Sequence, residues 1–170
     1  FAAKGFDRTT IRAVAAAAGV DPGLVHHYFG TKDDLFVAAL ELPLDPRELI
    51  GPALAGGVDG AAARLLTTFL SVWDDQDLQP ALLAVVRGVL EPEGHRLMGE
   101  GFLPAVVLPA VGALEVDQPE RRASLVASQM IGLIVARYLL RIEPLASMPA
   151  PAVVDAVAPS LQHYLSGPLS

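Results

Sequence analysis

Three of the seven His and Tyr rings of this sequence crowd into one place. His26, His27 and Tyr28 are consecutive, with Pro22, Gly23 and Leu24 just before them and Lys32 just after. Such groups ligate a metal or hydrogen-bond to a base edge or a phosphate. The metal reading is the weakest, because adjacent residues on a helix point about 100° apart and do not converge on one ion. There is no cysteine, and no nearby carboxylate completes a ligand set, so neither a metal nor any other cofactor is expected. Catalytic chemistry lacks its usual patterns: no Gly-x-Ser-x-Gly elbow, no phosphate-cradling glycine loop and no cluster of histidines with carboxylates.

The residues around the rings say how they are held. Phe1 to Lys4 reads as the tail of a helix whose beginning precedes Phe1, closed by Gly5 with Phe6 as apolar anchor. Thr9 is placed as the N-cap of the next helix, with Ile11, Val14, Ala15 and Ala18 as one buried stripe. Gly19 ends that helix, Val20 is the buried residue of the turn, Asp21 caps, and Pro22 takes the first helical position, where its missing N–H costs nothing. Val25 and Phe29 are expected to point inward. Gly30 stops this helix, Thr31 with Asp34 resembles a capping box, and a further helix runs from Lys32 to about Leu42, before Pro43. Two short helices joined by a three-residue turn between Thr10 and Phe29 make a helix-turn-helix. Pro22, Gly23, Leu24, His26 and His27 then face outward, with Tyr28 near the far end.

In a DNA major groove, Pro22, Gly23 and Leu24 suit thymine methyl groups and His26 suits a base edge. His27 and Tyr28 suit phosphates, as do Thr10 and Lys32 at helix N-termini. Tyr28 is equally suited to packing; for Lys32 a phosphate contact is favoured over the alternative of a solvated charge.

Composition bounds the rest. The chain has 170 residues and 17.8 kDa, 52% hydrophobic and 18% charged, with a mean hydropathy of +0.45. Disorder is excluded by that balance. The longest uncharged runs (101–114, 123–136 and 156–170) fall short of the ~18–20 residues a membrane span needs, so no membrane association is expected. Without cysteines there is no disulfide framework, and a cytoplasmic location is expected. The net charge of −7 opposes non-specific coating of nucleic acid. It is unevenly divided, however: residues 1–42 carry four basic and five acidic side chains, leaving −6 to the remainder.

From Pro43 onward the helical stretches are longer and more apolar. Helices are expected over 47–55, 61–74, 80–90, 102–114 with prolines, 119–142 and 152–165, and no strand pattern stands out. The fold class is all-α, with a helix-turn-helix domain over residues 1–42 and a larger helical domain over residues 43–170.

The stretch GFDRTTIRAVAAAAGVDPGLVHHYFGTKDDLF closely resembles the DNA-binding head of the tetracycline-repressor (TetR) family of bacterial regulators. That pattern joins a Thr-Thr start, an alanine-rich helix, Ala-Gly-Val, a short Tyr/His-rich helix ending in Phe, and a Lys. The resemblance covers the first quarter of the chain. It implies phosphate contacts for Thr10, His27, Tyr28 and Lys32, and base contacts for Pro22, Gly23, Leu24 and His26. Leu24 and His26 depart from the Thr, Ser or Ala and the Tyr usual in the family. The resemblance further implies a homodimer that binds double-stranded, palindromic operator DNA as a repressor and is released by a small-molecule effector. A hydrophobic effector is expected, with Phe69, Trp73, Met98, Phe102, Met130, Leu133 and Tyr138 as pocket walls and Gln129, Arg137, His95 and Arg96 as anchors. Arg137 serves either a ligand acid or an ion pair. The dimer interface is assigned to Ser128, Gly132 and Ala136 on one helix and Val157, Leu161 and Leu165 on the last, against the alternative of a purely internal core. Two other functions are weighed: a ligand-binding dimer without specific DNA binding, and an enzyme acting on a hydrophobic substrate.

Overall fold

The structure, a computed structural model, describes residue 1, residues 4–89 and residues 97–169. Among them every regular element is helical. The head holds α1 (Ile11–Ala18), α2 (Pro22–Phe29) and α3 (Lys32–Ala39). The body holds α4 (Pro46–Leu54), α5 (Ala61–Trp73), α6 (Gln79–Val89), α7 (Leu97–Val107), α8 (Leu108–Gly112), α9 (Pro119–Leu133, continued by Ile134–Leu139) and α10 (Ala150–Ser166). α7 and the continuation of α9 have the wider π-type winding. In α7 Pro104 lacks the N–H that a regular ladder would use there. No helix among the described residues is long and apolar enough to cross a membrane.

Local capping sets the head. Thr10, rather than the expected Thr9, caps α1: its hydroxyl oxygen accepts the Ala13 N–H at 3.1 Å. Thr9 is buried and donates its hydroxyl to the Gly5 carbonyl at 2.7 Å. Gly19 ends α1 at φ 68°, a left-handed conformation that is strained for a residue with a Cβ, and this lets the chain enter α2 within three residues. Asp21 accepts the Gly23 N–H at 2.7 Å. Thr31 and Asp34 form the expected capping box.

With helices of eight residues each, the head core is small. Ala15, Val25 and Leu35 fill it, with Phe1, Ile11 and Val14 packed around them. Three expected core residues lie outside it: Ala18 is exposed, Val20 is 39% exposed and Phe29 is 43% exposed. α2 ends at Phe29 and Gly30 turns the chain away, so the ring overhangs the core. Phe36 is the aromatic core residue instead, edge-on to both Phe1 and Phe6 at 5.3 and 5.2 Å.

Head and body share a second cluster. Phe6, Phe36 and Val37 pack against Ala105 and Val106 of α7. The main core joins α5, α9 and α10 through residues such as Leu66, Leu70, Val126, Val153, Leu161 and Leu165. Gln162 ties α10 to the start of α5, accepting the Ala62 N–H at 3.2 Å and donating to the Val58 carbonyl at 2.8 Å. Arg122, buried in α9, pairs with Asp117 and donates to the Tyr164 and Gly167 carbonyls at 2.8 and 3.0 Å.

Candidate nucleic-acid interface and apolar cavity

Every residue of α2 except Val25 is exposed. Pro22, Gly23, Leu24, His26, His27 and Tyr28 are therefore all accessible, distributed around most of the helix with only the Val25 side covered. His26 Nδ1 donates to the Gly30 carbonyl at 2.6 Å, which holds its ring along the end of α2. His27 and Tyr28 rings meet edge-on at 5.5 Å. Thr10 Oγ accepts a backbone N–H, which leaves its hydroxyl proton free to donate outward. Lys32 is held in place: its Nζ lies 4.1 Å over the Phe6 ring and 3.4 Å from the Asp7 carbonyl, to which it donates. Arg8 and Arg12, exposed on either side of Thr10, add positive charge that the motif reading did not single out. Their signal in the sequence was only their charge.

A cavity of about 830 Å³ lies in the body, bounded by α4, α5, α6, α7 and α9. Its size is that of a small-molecule site. Phe69, Trp73, Met98, Phe102 and Met130 line it, and among the described lining residues the polar side chains are Thr68, Ser124 and Ser128. Leu40, Leu42 and Leu44, from the segment that joins α3 to α4, line it as well. The motif reading missed Leu44, Leu49, Val85, Val86, Leu103 and Ile134, since aliphatic side chains line a cavity and a core alike.

Residues 1–39 match the family model described as bacterial regulatory proteins, tetR family, and residues 59–165 match that described as the tetracyclin repressor-like C-terminal domain. The chain belongs to the TetR family. It is 26% identical over 153 residues to the HTH-type transcriptional regulator BetI of two Burkholderia ambifaria strains, spanning 79% of this chain and 72% of the relative. A TetR-family regulator from Streptomyces coelicolor A3, known from a crystal structure, is 37% identical with a TM-score of 0.55, covering 97% of this chain and 87% of that one. This TetR-family protein is thus a ligand-responsive transcriptional regulator with a helix-turn-helix head and a helical C-terminal body.

Other residues assigned to the pocket sit elsewhere in this TetR body. Leu133 is buried in the main core, and Gln129 is half-buried away from the cavity. Arg137 is buried and donates to the Leu145 and Met148 carbonyls at 2.5 and 2.9 Å, with Asp74 at 3.4 Å, so it takes the ion-pair role. Tyr138 donates its hydroxyl to Asp74 at 2.8 Å, and burial together with that carboxylate pushes its phenol above the usual range. His95 and Arg96 lie outside the described residues. The expected dimer seam also changes: Leu161 and Leu165 are fully buried inside their own protomer, because α10 turns that edge onto α5, while Val157 is half-buried. Ser128 and Gly132 remain exposed on α9, and Ala136 is half-buried.

Proposed function

We propose that this regulator is a repressor that grips two half-sites of a palindromic operator as a homodimer and is released when a small hydrophobic molecule fills the cavity. Residues 1–42 act as the DNA-binding unit and residues 43–170 as the sensing and pairing unit. Thr10, His27, Tyr28 and Lys32 hold phosphates; Pro22, Gly23, Leu24 and His26 face bases. Phe69, Trp73, Met98, Phe102 and Met130 contact the effector, whose polar atoms meet the hydroxyls of Thr68 or Ser124. The second copy seats on the open face of α9 around Ser128, Gly132 and Ala136, next to Val157.

One observation carries the coupling. α7 has two working faces: Met98, Phe102 and Leu103 line the cavity, while Ala105 and Val106 pack against Phe6, Phe36 and Val37 of the head. A molecule that displaces Phe102 therefore acts on the seat of the head. It must favour one head arrangement over the other, and a decisive switch takes up to ~5.5 kcal/mol of differential affinity.

The test is an electrophoretic mobility shift with the DNA upstream of the protein's own gene. Saturable, sequence-dependent binding that a hydrophobic compound reverses is the expected result. Binding without any sequence preference by the full chain would refute the reading.

A further inference from the structure

Seven large hydrophobic side chains are exposed among the described residues, and four of them fall in the turn and reading helix: Val20, Leu24, Tyr28 and Phe29. A solvated helix has no use for such a surface. In the major groove it has one apolar complement, the C5-methyl group of thymine. The alternatives are absent from α2, whose sequence PGLVHHYF contains no Arg or Lys to grip guanine and no Asn or Gln to grip adenine. Asp21, the acidic group at the start of this helix, spends one carboxylate oxygen on the Gly23 N–H.

His26 adds a definite polarity. A carbonyl oxygen only accepts, so the 2.6 Å contact to Gly30 places the proton on Nδ1. In the neutral ring Nε2 then presents a lone pair. A lone pair in the major groove accepts from the amino group of adenine or cytosine and is repelled by O6 and N7 of guanine.

We propose that Leu24 and His26 set the operator preference of this regulator: Leu24 reads a thymine methyl group, and His26, which leaves the helix on a different side, reads the amino group of an adenine or cytosine at another position of the same half-site. The inference rests on the DNA-binding reading above.

The probe is a duplex enriched by the full chain from a randomised pool of ~30 base pairs, long enough for two half-sites one helical turn apart. It is resynthesised with deoxyuridine in place of thymidine at one position at a time, which deletes the methyl group and leaves the hydrogen-bonding edges intact. In each half-site at least one such position should weaken wild-type binding about fourfold, the equivalent of ~0.8 kcal/mol for one buried methyl. Leu24→Ala should bind the thymine and uracil duplexes equally, and His26→Ala should lose selection at an adenine or cytosine elsewhere in the half-site. An enriched duplex that tolerates uracil at every position overturns the proposal and leaves the regulator reading standing. Failure to enrich any sequence overturns both. Since the uracil series uses the unaltered protein, poor folding of either variant does not blunt the test.

Discussion

Arg47 Nη1, in the first turn of α4, lies 2.6 Å from Asp34 Oδ1, in the first turn of α3. The body is thereby fastened to the head beside the capping box, because the same carboxylate also accepts the Thr31 N–H at 2.9 Å and its hydroxyl at 2.6 Å. Asp45 completes the arrangement, capping α4 through the Arg47 N–H while pairing with the Arg47 guanidinium.

These bonds, those from Thr31 foremost and then that from Arg47, lower Asp34 from the ordinary 3.8 to about 2. A carboxyl depressed by folding stabilises the fold at pH values above its unfolded value, and the contribution disappears as pH falls through the folded value. Thermal unfolding should therefore show wild type ahead of Asp34→Asn at neutral pH, with the gap closing between pH 3.8 and about 2. Since both side chains are about a third exposed, at 33% and 37%, the Asp34–Arg47 coupling in a double-mutant cycle should stay below ~1 kcal/mol. A gap that widens on acidification would contradict this assignment.

Gly101 is a point of close approach between body and head. A Cβ there would lie 2.3 Å from Cζ of Phe36 and 2.4 Å from its Cε2, and that ring is itself buried. Gly101→Ala should cost ~1–3 kcal/mol, the range for overpacking, read as a lower urea midpoint. Phe36→Leu should recover part of the loss in the double variant, beyond what the two single changes predict by addition. Simple additivity would show that the two residues do not meet.

The cavity makes a separate prediction. Nile red, an uncharged apolar fluorophore, should bind the full chain with a rise in emission. Val86→Trp places a large side chain on a wall among aliphatic neighbours and should weaken that binding at least ~10-fold, as steric occupation of a preformed apolar site would. Equal binding by both proteins would show that the dye reports some other surface.

What could be read from the sequence was what local physics decides. Asp21 and the Thr31–Asp34 box announce helix starts because their side chains bond within three residues, and Gly19 announces a stop for a similarly local reason. The burial of Phe36 in place of Phe29 is not local: it depends on α7 arriving 65 residues after Phe36 with a glycine at position 101. The aromatic and methionine walls of the cavity were recognisable by type, as Phe69 and Met98 illustrate, whereas Val85 and Val86 carry no mark that separates them from core. Periodicity put Arg137 on the face of Met130 and Leu133, but the carbonyls of Leu145 and Met148 that hold it come from the far side of a loop. The same holds for Arg122, whose partners Tyr164 and Gly167 are 42 and 45 residues away.

Lys32 tests the division between phosphate and base contacts. Its ammonium is already held by the Phe6 ring and the Asp7 carbonyl, so little conformational freedom is left to lose on binding DNA. Lys32→Ala should weaken all duplexes alike and reduce the slope of log affinity against log salt by about 1, because one fewer counterion is released. Lys32→Arg should keep most of that slope. If the lysine serves only to cover Phe6, Lys32→Ala will lower the unfolding midpoint and leave the salt slope as it was, which separates a packing role from a phosphate contact.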